Sequence, residues 1–94
     1  MMQPSEVNHN YNGIQKIYKF SNGYGASVIK HDFSHGHSDG LWELAVIMKT
    51  DEHFTEWTID YDHPESHGDV RGWLTDRMVE DILINIKGDS ECLI

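Results

Sequence analysis

The segment LWELAVIMK (41–49) constrains the fold of this chain more than any other, because it is apolar on both sides of an extended backbone. Alternate residues of a strand point to opposite faces. Trp42, Leu44, Val46 and Met48 therefore share one face, and Leu41, Ala45 and Ile47 share the other with Glu43. Such a strand belongs in the middle of a sheet and has to be covered on each side.

Its neighbours along the chain supply the rest of the sheet. IQKIYKF (14–20) is β-branched and aromatic, and the SNGYG that follows contains Asn22-Gly23, a pair that accepts positive φ at both centres of a type I′ hairpin turn. In the second arm, YGASVIKH, Tyr24, Ala26 and Val28 lie on one face and Gly25, Ser27 and Ile29 on the other. The polar loop HDFSHGHSDG then leads into 41–49. FTEWTIDYD (54–62) alternates, which predicts a strand with Trp57, Ile59 and Tyr61 inward and Glu56, Thr58, Asp60 and Asp62 outward.

After the Pro- and Gly-bearing connection HPESHGDVRG, Thr75 can cap a helix over 76–87. Asp76 suits the positive end of that helix and Gly88 its stop. Met78, Val79, Ile82, Leu83 and Ile86 recur at spacings of three and four and form one stripe, with Ile84 on the opposite side. The expected fold is α+β: a four-stranded, mainly antiparallel sheet with one C-terminal helix on one face, in the order ββββα. Residues 1–12 show no sustained period and read as a flexible arm, 13–88 as a single domain and 89–94 as a tail. If the helix covers the Trp42 side, Leu41, Ala45 and Ile47 still need a cover, and the candidates are the N-terminal arm and a second subunit in a homodimer.

Composition narrows the partners. The 94 residues carry 16 acids against 7 Lys and Arg, a net charge of -9. The excess is local: residues 1–50 balance at zero, 51–81 hold ten acids against Arg71 and Arg77, and the remainder adds -1. Direct nucleic-acid binding needs clustered basic residues, so it is not expected, whereas a basic protein surface is a natural partner. The lone Cys92 forms no internal disulfide, which suits a reducing compartment. The start MMQPSEVNHN has neither a basic nor an apolar signal region, and the longest apolar run is 44–48, so a soluble chain without membrane attachment is expected.

The stretches NGYGASVIK, DGLWELAVI, DYDHP and DVRGWLT with MVEDIL resemble a family of short proteins of uncharacterised function encoded by tailed bacteriophages and prophages. The resemblance runs from Tyr18 to about Ile86. It rests on an N-G-Y-G strand pair (Asn22 to Gly25), a G-L-[WY]-E-[LA]-A-V strand (Gly40 to Val46), a Y-D-[ST]-P turn (Tyr61 to Pro64, with His63 at the variable place) and a V-x-G-x-L-[ST] lead into the helix (Val70 to Thr75). This chain departs from the pattern in a His-rich loop, where relatives carry Tyr, Ser and Gly, and in the added ESHGD after Pro64. The resemblance implies a phage context in the host cytoplasm and no particular reaction.

His31, His35 and His37 can place two or three imidazoles on one ion, with Asp32 or Asp39 to complete it, but the spacing matches no structural zinc pattern. His63 and His67 are separated by Pro64 and flanked by Gly68, which disfavours helical chelation. Asp60 and Asp62 would project from one side of a strand about 6.7 Å apart. GYGAS leads into a strand instead of a helix and fails as a phosphate cradle. Ser34, His35 and Asp39 crowd into one loop, where no rigid scaffold orients a triad.

No cofactor is expected, and the expected role is non-enzymatic. It is that of an accessory protein binding a host or phage protein with a basic surface through Glu52, Glu56, Asp60, Asp62, Glu65 and Asp69, with inhibition of a host enzyme or defence system as its sharper form. The face of Leu41, Ala45 and Ile47 is a candidate oligomer contact. The competing readings are a metal-binding protein or small metal-dependent enzyme using His31, His35 and His37, and a minor virion component.

Overall fold

The computed structural model of the chain describes residues 2–10, 12–31, 40–50 and 56–92. Among them six strands form one antiparallel sheet, β1 (Glu6–Asn10), β2 (Gly13–Lys19), β3 (Tyr24–Lys30), β4 (Trp42–Lys49), β5 (Trp57–Ile59) and β6 (Arg71–Leu74), followed by α1 (Asp76–Cys92). The α+β class and the C-terminal helix agree with the sequence, whereas the sheet exceeds the expected four strands. Residues 6–10, assigned to an arm, pair with β2 from Glu6 opposite Ile17 to Asn10 opposite Gly13. The second extra strand, β6, lies in the connection ahead of the helix.

β4 is central, as its two apolar faces require. Its inner edge pairs with β3 along most of its length, from Tyr24 opposite Met48 to Ile29 opposite Glu43. Its outer edge is divided: Ile47 to Lys49 pair with β5, while Trp42 and Leu44 pair with Leu74 and Arg71 of β6 across an irregular register. A short 3-10 turn, Pro64–Ser66, bridges the two pieces. Ser66 is the one buried polar residue among those described, and its hydroxyl donates to the Asp60 carbonyl, which pins the turn beside the end of β5.

The Trp42 face carries the core. Tyr18, Ala26, Val28, Trp42, Leu44, Val46 and Leu74 of the sheet pack with Val79, Ile82, Leu83 and Ile86 of the helix. Burying each of these aliphatic side chains stabilises the fold by roughly 1.5–3 kcal/mol. Met78, placed on the stripe by spacing, is 44% exposed and lies outside this core, at the margin of the buried arc. Thr75 caps as expected, its Oγ1 accepting from the Met78 N–H at 3.2 Å. The helix does not stop at Gly88 but runs to Cys92, since a glycine inside a helix costs only about 1 kcal/mol.

The hairpin joining β2 and β3 is not type I′. The Gly23 N–H donates to the Phe20 carbonyl at 3.1 Å and the Phe20 N–H to the Tyr24 carbonyl at 2.8 Å, which makes Ser21 and Asn22 the central residues, neither with positive φ, and leaves Gly23 beyond them at φ 87°. This is a type I turn closed by a glycine bulge. It leaves the Asn22 side chain available for two bonds, accepting from the Tyr24 N–H and donating to the Ile86 carbonyl at 2.8 Å, which fastens the turn to the helix.

Tyr18 is 5% exposed, and burial raises its hydroxyl pKa above 10.0, with the Glu80 carboxylate adding to the rise. The folded state therefore favours the neutral phenol. Its contribution is complete below pH 10, where folded and unfolded chains both hold the proton, and is lost as pH climbs through the raised folded value. Urea midpoints measured from pH 8 to 11.5 should fall above pH 10, and Tyr18→Phe should make that fall shallower. An identical alkaline limb in the two proteins would exclude Tyr18 as its source.

Candidate functional site

The face of the sheet opposite the helix is built by the other half of each alternating strand. Antiparallel registry sets Glu6, Ile17, Ser27 and Ala45 in one row across β1 to β4, and Asn8, Gln15, Ile29 and Glu43 in the next. A third row runs from Lys19 through Gly25 and Ile47 to Ile59. Together they form a trough of about 650 Å³ whose floor includes Ile17, Ile29, Ala45 and Ile47. Among the described residues no second layer covers it, because the single helix packs on the Trp42 side.

One side of the trough is polar and internally bonded. Asn8 Nδ2 donates to Glu6 Oε2 at 3.0 Å and to Gln15 Oε1 at 3.3 Å, and Gln15 Nε2 donates to Ser27 Oγ at 2.9 Å. These bonds link side chains of β1, β2 and β3 across the sheet. At the opposite side the Lys19 ammonium lies 5.6 Å from the centre of the Trp57 ring, a cation–π distance. Gly25 lies in the row between them, and a Cβ there would collide with the Tyr18 carbonyl oxygen, so the two backbones approach too closely for any side chain.

Of the apolar candidates, Ala45 and Ile47 line the trough, Ile47 being buried and Ala45 half-buried, while Leu41 is half-buried just ahead of β4 and outside the lining. Trp57 and Ile59, expected to point inward with Tyr61, instead share the trough face. Ile59 stands opposite Ile47 and is 39% exposed, and Tyr61 lies past the strand at 50%. Of 54–62 only Trp57–Ile59 forms a strand, and Thr58, on its other face, is exposed.

The acidic candidates do not form one array. β5 ends at Ile59, so Asp60 and Asp62 are not strand neighbours; the Asp60 carboxylate folds back to accept from the Asp62 N–H at 2.9 Å. Asp69 accepts from the Val70 N–H at 2.7 Å, and Glu65 pairs with Arg71 at 3.3 Å with both side chains largely shielded. The Asp60 and Asp69 carboxylates are thus engaged in turn chemistry and Glu65 in an ion pair. Glu56 and Asp62 are exposed, and Glu52 lies outside the described residues.

His35 and His37, with Ser34 and Asp39, also lie outside the described residues, while His31 lines the trough. Among the described residues no three His, Cys, Asp or Glu side chains gather to hold a metal. His63 caps the 3-10 turn, its Nδ1 accepting from the Glu65 N–H at 3.0 Å, and meets Tyr24 edge-on at 5.0 Å. His67 follows the turn in the left-handed region at φ 52°. No described helix is long and apolar enough to cross a membrane.

Gln15, Lys19 and Ser27 were not singled out by the sequence, although each falls on the same face as Ile17 or Ile29 once the strand period is applied. Comparison with family models, curated proteins and solved structures finds no match.

Proposed function

We propose that this chain is a non-enzymatic binding protein that holds a partner protein against the open face of its sheet. The role is that of a bacteriophage accessory protein acting on a host or phage protein in the host cytoplasm, with inhibition of a host enzyme or defence complex as its sharper form. One observation supports the reading: the open face is concave and apolar along its floor, carries a pre-bonded polar side, and has no covering layer among the described residues. An apolar surface of this kind usually marks a contact site. Exposed Glu56 and Asp62 near the β5 end steer the encounter, and affinity is held by the floor.

Ala45→Arg tests this directly, since it sets a long charged side chain in the trough. Partner capture from cells carrying the protein should fall at least ~30-fold, equivalent to about 2 kcal/mol at a central contact, with the melting temperature little changed. Glu56→Gln with Asp62→Asn should weaken capture only a few-fold and only at low salt. Undiminished capture by Ala45→Arg would remove the open face from consideration.

A further inference from the structure

We infer that the segment seated in the trough is extended and presents lysines, an assignment that rests on the binding reading above and gives the partner its chemistry. The trough already holds one ammonium, because Lys19 reaches past the notch at Gly25 to place Nζ over the Trp57 ring. An apolar floor with an indole at one end and carboxylates elsewhere on its lining, Glu6 and Glu43, is suited to a lysine, whose stem covers apolar surface while its head stays at a polar edge.

Charge favours the same occupant over a second copy. The chain carries -9, and the acids on the trough lining are Glu6 and Glu43. A second copy would set that excess against itself, whereas a lysine-bearing segment neutralises it. Spacing favours an extended conformation. Glu6 on β1 and Glu43 on β4 are three strands and two residues apart, about 16 Å on the diagonal at ~4.8 Å per strand and ~3.4 Å per residue, a span that flexible lysine stems can close. Lysines four residues apart on an extended chain are separated by about 13 Å, with the residue midway between them facing the same way, onto the floor.

The probe is the blocked peptide Thr-Lys-Thr-Val-Thr-Lys-Thr, compared with its counterpart carrying glutamate for both lysines, each titrated into the ¹⁵N-labelled chain. The lysine peptide should shift the amides of Ser27, Ala45, Ile47 and Ile59 saturably, and the glutamate peptide should not. Lys19→Gln, which removes the internal competitor, should tighten binding at least threefold. Lys87→Gln, the same charge change on the helix, should do less, and Ala45→Arg should abolish binding.

No saturable shift with the lysine peptide, an equal response to both peptides, or a free chain that sediments as a dimer with this face protected would each overturn the assignment. The partner captured from cells separates the two ideas. If its capture depends on Ala45 yet survives acetylation of its lysines, the lysine assignment falls and the binding reading stands. Capture indifferent to Ala45→Arg overturns both.

Discussion

Truncating Trp42 to alanine is expected to cost about 3–5 kcal/mol, at the large end of core substitutions. It should be read as a lower denaturant midpoint with an unchanged slope. Domains of this size are stable by about 5–15 kcal/mol, so much of the margin would go. Trp42 is 9% exposed and joins three parts of the molecule. Its ring lies under Lys16 of β2 at 5.0 Å and Lys30 of β3 at 4.2 Å, and its Nε1–H donates to the Asp76 carboxylate in the first turn of the helix at 2.6 Å.

Trp42→Phe separates these contributions. It keeps most of the apolar contact but loses the bond to a charged acceptor, worth about 1.5–3 kcal/mol, and weakens both cation–π contacts. A loss of about 2 kcal/mol is expected, clearly smaller than for alanine. Equal losses would mean that the indole N–H, and not packing, carries the whole effect.

Gly25→Ala should be comparably severe, at about 3 kcal/mol or more, the upper range for overpacking. The added methyl would meet the Tyr18 carbonyl oxygen and the Lys19 backbone, neither of which can rotate away as a side chain does. Relief requires β2 and β3 to separate at the row that also holds Lys19 and Ile47. The variant should therefore lose amide protection in both strands and lower the melting temperature by well over the 4–8 °C that accompanies 1 kcal/mol in a domain of this size. A melting temperature within a few degrees of the natural chain would show that the strands can spread without penalty.

The strands and helix that make the core were legible because each contains enough apolar period to identify itself. LWELAVIMK announced a central strand, and the stripe from Val79 to Ile86 announced the helix and its face. β1 was not legible: Glu6–Asn10 has Val7 alone as an apolar residue and forms only because β2 offers it an edge. For β5 the period was clear but its extent and burial were not: only three residues are strand, and alternation separates two faces without saying whether either is buried. Gly88 shows the limit of stop signals, because a helix with a packed face absorbs one glycine. The acidic set divides for a different reason. Asp60 and Asp69 are common turn residues whose carboxylates fold back on the local backbone, and composition alone does not distinguish these from carboxylates that face a partner.

The divided outer edge of β4 bears on how the protein behaves in a crowded solution. A long uninterrupted edge strand offers a template on which a neighbouring molecule can add its own strand and begin to aggregate. Here that edge is split between β5, of three residues, and β6, of four, with Trp73 twisted into the left-handed region at φ 54° within the irregular register of β6. An incoming strand finds no continuous run of outward N–H and C=O groups on this side. The irregularity next to Trp73 thus acts as a guard against edge-to-edge polymerisation, and straightening it should be felt first as precipitation at high concentration.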